Sequence, residues 1–264
     1  MFAGIDIGSS SSKVAIVDLK KEILGVKVIN LGTGNDVVDD ALNELLGEIG
    51  ITEKDICFSV ATGYGRMSYK KADAQITEIT CHGKGIATFY PDIRTVIDIG
   101  GQDSKVIRLD DGGNIINFVM NEKCAAGTGR FLEVMSRVLA IPLQNLGEVA
   151  EKSQNPVTVS SVCTVFAESE VISHLSSGAR KEDVARGAHM SVAKRVSGMC
   201  GRIDIADAVA MTGGGALNKD LVKCMEAELN RTIKVPAYPQ AIGAIGAAII
   251  ARDKYLKTIG EKDG

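Results

Sequence analysis

Three short segments of the chain join a strand end to a run of small residues: DIGSSSSK at 6–13, DIGGQDSK at 98–105 and MTGGGALN at 211–218. A strand that ends in Asp-Ile-Gly and enters a turn of Gly and Ser exposes backbone N–H donors and hydroxyls to an anion, while the Asp can hold hydrated magnesium. Two such turns facing each other would clamp a polyphosphate. Gly213, Gly214 and Gly215, placed between a strand and a helix start, would let the backbone approach a nucleotide closely. Neither Asp-Ile-Gly turn fits G-x-x-x-x-G-K-[ST], and no G-x-G-x-x-G follows a strand, so this is not a P-loop protein. An ordinary hairpin is the alternative for any one turn; three together, two of them repeats, favour the phosphate reading.

A second chemistry is carried by cysteine. NEKCAAGTGRFLEVM at 121–135 and SSVCTVFAESEVISHL at 160–175 each put a Cys just before or at a helix start. A helix N-terminus favours the thiolate, which makes Cys124 and Cys163 candidate metal ligands. Cys57, Cys81, Cys200 and Cys224 read instead as small apolar residues of strands and helices, and the absence of C-x-x-C spacing argues against a disulfide or zinc framework. A cubane cluster needs four thiolates, so two per chain imply a homodimer with the cluster on its two-fold axis. His82, His174 and His189 show no ligand spacing and read as surface helix residues.

The elements that must position these residues follow from an internal repeat. GIDIGSSSSKVAIVD at 4–18 and VIDIGGQDSKVIRLD at 96–110 share D-I-G-x-x-x-S-K-V at an offset of 92, so the chain is built as two halves on one plan. Each half opens with an antiparallel meander whose third strands are EILGVKVIN at 22–30 and NIINFVMN at 114–121. Helical periodicity follows through Val37, Val38, Ala41, Leu45 and Leu46 in the first half and Phe131, Leu132, Met135, Val138 and Leu139 in the second. Further strands are expected near 55–61 and 207–212, and helices over 129–139, 142–151, 163–177, 181–202, 216–230 and 240–257, with Gly178 and Gly215 as stop or turn residues. Low aromatic content (4%) beside 29 Gly favours an α/β class over an aromatic-layered sandwich. The formal net charge of −3 gives no electrostatic footprint for nucleic acid. The apolar run at 241–251 is too short to span a bilayer, and Asp6 interrupts any leader-like start, so a cytoplasmic protein with no membrane partner is expected.

Together the three turns resemble the two phosphate motifs and the adenosine motif of the acetate and sugar kinase, heat-shock ATPase and actin superfamily. The resemblance implies two ribonuclease-H-like halves around an ATP cleft, divided here as 1–92 and 93–264, with the helix at 240–257 packing back on the first half. It places Asp6 and Asp98 near Mg2+, and Gly8, Ser9, Ser10, Ser11, Ser12, Lys13, Gly100, Gly101 and Gln102 around the phosphates. Gly213, Gly214, Gly215 and Asn218 would surround the adenosine of ATP or ADP, with Gln240 near the base. Gln102 and Asp103 stand where hydrolysis needs a water-orienting or basic group, and a turn role is equally open for Asp103. Segments CAAGTGRFLEVM and SSVCTVFAESEVISHLSSG, with ATGYGR at 61–66 and VIDIGGQD at 96–103, strongly resemble the activators of 2-hydroxyacyl-CoA dehydratases over nearly the whole chain. That resemblance implies a homodimer holding one [4Fe–4S] cluster through Cys124 and Cys163 of each chain, with Gly127, Thr128 and Gly129 added to the cofactor-binding set. It also implies ATP-driven delivery of one electron to a 2-hydroxyacyl-CoA dehydratase, and reduced ferredoxin or flavodoxin as donor. ATPase subunits of benzoyl-CoA reductases share the motifs, and a non-redox small-molecule kinase or regulatory ATPase remains open on the turns alone.

Overall fold

The computed structural model describes residues 1–30, 35–160, 163–206 and 208–260. Ser161 and Val162 of the SSVC motif, and Asp207 of the expected strand at 207–212, lie outside the described residues. The chain divides into two units: unit 1 comprises Met1–Ile93, Leu109–Ile115 and Gln240–Gly264, and unit 2 comprises Arg94–Arg108 and Ile116–Pro239.

In unit 1 the first three strands are β1 (Phe2–Ile7), β2 (Ser12–Val17) and β3 (Ile23–Ile29). They are followed by helix α1 (Asn35–Glu48), β4 (Phe58–Thr62), the two-residue β5 (Ala74–Gln75) and α2 (Glu78–Phe89). Every residue of β1 is buried, as its near-continuous apolar run requires of a strand covered on both faces. The sheet order is β3-β2-β1-β4-β5, with β1 antiparallel to β2 and parallel to β4.

Unit 2 repeats this plan. Its strands β6 (Thr95–Ile99), β7 (Ser104–Leu109) and β8 (Ile115–Asn121) lead into α3 (Gly129–Leu139), α4 (Leu146–Ala150), α5 (Thr164–Ser176) and α6 (Lys181–Cys200). Then come β9 (Val209–Thr212), α7 (Lys219–Leu229) and β10 (Ile233–Lys234). The order β10-β9-β6-β7-β8 is that of unit 1 strand for strand, with β6 antiparallel to β7 and parallel to β9. Both units thus have the ribonuclease-H-like α/β topology.

The last helix, α8 (Ile242–Gly260), belongs to unit 1 and carries AIGAIGAA for a packing reason. Its backbone lies so close to β1 and α2 that a Cβ added at Gly4 would strike Ala244 O, and one at Gly246 would strike Cys81 O. The helix therefore needs small residues on two faces. Among the described residues no helix is long and apolar enough to cross a membrane.

Several expected elements shift. The helix expected over 142–151 is broken into a 3-10 turn at Leu143–Asn145 and α4, because Pro142 starts the turn. The helix expected from 216 starts at Lys219, after a 3-10 turn at Gly214–Leu217, because Asn218 caps it. Gly215 is a turn residue, inside that 3-10 turn, and is buried where any Cβ would lie 2.8 Å from Ile99 Cβ. Gly178 does end a helix, at φ +89°. Cys57 precedes β4 and is exposed rather than buried. His82 and His189 are core residues, not surface ones, because polar partners inside each unit receive them.

Candidate functional site

The turn between β1 and β2 is closed by Gly8 N donating to Ser11 O at 3.1 Å, and the strand register sets Asp6 opposite Lys13 and Ile7 opposite Ser12. Parallel pairing with β4 puts Thr62 beside Asp6 on the other side. Lys13 Nζ stands 3.5 Å from Asp6 Oδ2, while Asp6 Oδ1 and Ser12 Oγ are buried with no hydrogen-bond partner among the described residues. After Thr62 the chain turns through Gly63 at φ +85°, where a Cβ would collide with Asp6 Oδ1. Of the serines, Ser10 is exposed, and Ser9 and Ser11 are half-buried at the tip.

Unit 2 builds the same turn. Gly100 N donates to Asp103 O at 2.9 Å, and Asp98 pairs across the strands with Lys105. Here Asp98 Oδ1 accepts from Thr212 Oγ1 at 2.9 Å, and Lys105 Nζ lies 3.3 Å from Asp98 Oδ2 and 2.8 Å from Asp103 Oδ2. Ser104 Oγ donates to Gly127 O. Asp103 also folds back over Gly100, whose missing Cβ would sit 2.6 Å from Asp103 Oδ1. Asp103 is thereby engaged as a counter-ion within the turn, whereas Gln102 beside it is exposed.

Gly127, Thr128 and Gly129 stand behind this turn. Thr128 is the N-cap of α3 at a buried position. The first α3 amides donate to the turn's carbonyls, Gly129 N to Gly100 O at 2.8 Å and Arg130 N to Gly101 O at 2.7 Å. The helix end that would otherwise have orphan donors thus fixes the shape of the glycine turn. After β9, Gly213 adopts φ +81° and donates its N–H to Pro239 O at 2.8 Å, one residue before the half-buried Gln240. Gly214 is exposed, Gly215 is buried and Asn218 caps α7 through Leu221 N at 3.1 Å.

Apart from Cys57, exposed in unit 1, the cysteines separate into two groups. Burial pushes the thiols of Cys81, Cys200 and Cys224 up to about 12, which holds them neutral. Cys163 is exposed, occupies the N-cap position of α5 and accepts Ala167 N at 2.9 Å through its carbonyl. It is followed by exposed Val165 (68%) and Phe166 (69%), an apolar surface on the first turn of the helix. Cys124 is partly exposed, in a loop tied down by Asn121 Nδ2, which donates to Cys124 O at 2.9 Å and Ala126 O at 3.0 Å. Both belong to unit 2.

Three features escaped sequence reasoning. The segment ATGYG of β4 is the structural counterpart of MTGGG, each following the strand beside the acidic one with a left-handed Gly. Lys105 is as buried as any apolar core residue, a fact signalled only by its place in the repeat opposite Lys13. A hydrogen-bonded group of His189, Asp220 and Asn218 lies behind the glycine turn with no sequence signal at all.

These turns can be set beside known proteins. The model of the BadF/BadG/BcrA/BcrD ATPase family matches residues 3–251. The chain belongs to this family. Among its relatives, the 2-hydroxyisocaproyl-CoA dehydratase activator of Clostridioides difficile is 49% identical over 95% of this chain and 94% of its own length. The activator of lactoyl-CoA dehydratase of Anaerotignum propionicum is 48% identical over 96% of this chain and 98% of its own length. A solved structure of the activator of 2-hydroxyisocaproyl-CoA dehydratase from Clostridium difficile with bound ADPNP superposes with a TM-score of 0.95 at 48% identity, over 99% of this chain and 98% of that one. Family membership thus rests on nearly the whole length of the chain.

Proposed function

We propose that this protein is an ATP-hydrolysing activator of a 2-hydroxyacyl-CoA dehydratase, and that it transfers one electron to that enzyme. The observation that carries the reading is the near full-length likeness to two dehydratase activators, joined to a pair of accessible cysteines in unit 2. The nucleotide site is supported by the unpartnered, buried Asp6 Oδ1 and Ser12 Oγ, whose desolvation is costly unless a ligand or water satisfies them. Asp6, with Asp98 in unit 2, would hold hydrated Mg2+. Lys13 and residues Gly8–Ser12 and Gly100–Gln102 would receive the phosphates of ATP or ADP, with Gly127–Gly129 bracing the second turn. Gly213–Gly215, Asn218 and Gln240 would take the adenosine. Gln102, exposed at the tip of its turn, is assigned to orient the attacking water, and Asp103 to hold Lys105.

The donor set also fits an iron–sulfur group. Cys124 and Cys163 are accessible in unit 2 where the three buried thiols are held protonated; the exposed Cys57 belongs to unit 1, with the Met1 amine 3.7 Å from its sulfur, so the two soft ligands of unit 2 complete a four-thiolate set with those of a second copy. The reading is therefore a homodimer with one [4Fe–4S] group at Cys124 and Cys163 of both chains. When bound, such a group supplies low-potential one-electron chemistry, with reduced ferredoxin or flavodoxin as donor and the dehydratase as acceptor. Helix α5, capped by Cys163, and helix α3, which begins five residues after Cys124, share unit 2 with the second phosphate turn; Gly129 and Arg130 tie α3 directly to it.

Iron, acid-labile sulfide and oligomeric mass of protein purified without oxygen test the reading. About four irons and four sulfides per dimer, lost in air, are expected. A Cys163→Ser variant should lose the iron and still bind ATP. A colourless, iron-free wild-type protein that phosphorylates a small molecule would overturn it.

A further inference from the structure

Asn218 lies at the junction of the MTGGG turn and α7, and its amide is oriented by a chain of single choices. The backbone N–H of Leu221 can only donate, so the Asn218 atom 3.1 Å away is Oδ1. The Nδ2 group therefore faces His189 Nε2 at 3.0 Å as a donor, and Nε2 carries no proton. The ring proton sits on Nδ1 and is donated to Asp220 Oδ2 at 2.7 Å. Asp220 Oδ1 is in turn paired with Arg186. His189 and Asp220 are completely buried, and the missing side chain of Gly147 on α4, whose Cβ would stand 2.6 Å from Asn218 Oδ1, leaves the amide its place. The cap of α7 is thus anchored on α6, through a side chain twenty-nine residues earlier in the sequence.

We infer that His189 and Asp220 form a positioning pair for nucleotide binding, acting through Asn218 to fix where the glycine turn ends and α7 starts. The inference rests on the proposal that this turn receives adenosine. A turn with three successive glycines has large conformational freedom, and a rigid exit limits what must be ordered when a ligand binds. Loss of that anchor weakens ground state and transition state alike, so the KM for ATP rises while kcat holds.

Two substitutions separate the pair's halves. His189→Gln can place an acceptor where Nε2 stood and keep Asn218, while His189→Asn can place a donor where Nδ1 stood and keep Asp220 but not Asn218. Binding of Mg·ADP is measured by calorimetry on the anaerobically purified dimer, with inorganic tripolyphosphate as the probe that lacks adenosine. His189→Asn is expected to weaken ADP about tenfold, the scale of one lost hydrogen bond, and to leave tripolyphosphate unchanged. His189→Gln restores most of the affinity, although both variants lose thermal stability to a similar extent. Asn218→Ser, which keeps a capping oxygen and removes the amide donor, should match His189→Asn and serves if the latter does not fold. Equal weakening by both His189 variants, or none in either while the wild type prefers ADP, overturns the positioning role and leaves the adenosine assignment standing. Wild-type protein that binds tripolyphosphate as tightly as ADP overturns the adenosine assignment and this inference with it.

Discussion

At the end of β6 the carboxylate of Asp98 is held on both oxygens, by Thr212 on one and Lys105 on the other. At the same place in unit 1, Asp6 has Lys13 at 3.5 Å on one oxygen and no hydrogen-bond partner on the other. The lysines differ as well: Lys105 is 1% exposed and shared between two carboxylates, whereas Lys13 is 14% exposed and, among the described residues, paired with Asp6. One topology has therefore been filled in two ways. Unit 2 pairs its buried carboxylate on both oxygens, while unit 1 leaves one oxygen of a buried carboxylate and the Ser12 hydroxyl without a hydrogen-bond partner among the described residues. Polar groups left orphaned in a core are expensive, and they persist where a ligand repays the cost.

The largest effect that would break this comparison is on stability. Lys105→Met strips both Asp98 and Asp103 of their buried partner and is expected to cost about 3–5 kcal/mol in urea unfolding. Lys13→Met removes a partly solvated cation and is expected to cost about 1 kcal/mol or less, while weakening nucleotide binding. Equal losses in the two variants would mean that the lysines play the same part.

A second effect sharpens the idea that unit 1 waits for a ligand. Mg·ADP at a hundred times its dissociation constant should stabilise the wild-type protein by about 2.7 kcal/mol. Asp6→Asn should lose most of that gain at the same nucleotide concentration, because the carboxylate that would face the hydrated cation is gone. A full thermal shift in Asp6→Asn would remove Asp6 from the site.

The comparison also shows what could be read without coordinates. D-I-G-x-x-x-S-K-V repeats at one offset, so the β1–β2 and β6–β7 turns are legible, as are α3 and the helix start at Cys163; Cys124 is not at a helix start but in a loop five residues before α3, whose N-cap is Thr128. The match of ATGYG to MTGGG was not, because Thr62 and Thr212 stand 150 positions apart rather than 92. The extra length in unit 2 is the stretch of α4, α5 and α6, and it is this stretch that brings Cys163. An insertion thus hid the second half of the repeat and supplied residues the repeat lacks. Buried polar contacts were illegible for another reason: His189 and Asp220 meet across two helices, at a spacing no periodicity encodes. From its place beside Gln102 at the second turn, Asp103 is open equally to a basic role and to a turn role, and the approach of Lys105 at 2.8 Å shows its carboxylate already engaged.

The smallest effect is the most direct pairwise test. Thr62 and Thr212 occupy equivalent positions beside the two carboxylates, and both are fully buried. Thr212 Oγ1 donates to Asp98, whereas Thr62 Oγ1 makes no hydrogen bond to Asp6. Valine is close to threonine in shape, so replacing each removes the hydroxyl and little else. Thr212→Val should cost about 1 kcal/mol, the net worth of a buried hydrogen bond plus the exposure of Asp98 Oδ1 to an apolar neighbour. Thr62→Val should be neutral within about 0.5 kcal/mol in the nucleotide-free protein, since no bond to Asp6 is lost and the hydroxyl gives up only a weak contact with the Cys81 thiol. Denaturant midpoints with unchanged slopes would measure both. A loss at Thr62 equal to that at Thr212 would show that the unit 1 carboxylate is already satisfied without nucleotide, and the asymmetry between the two units would then have no functional meaning.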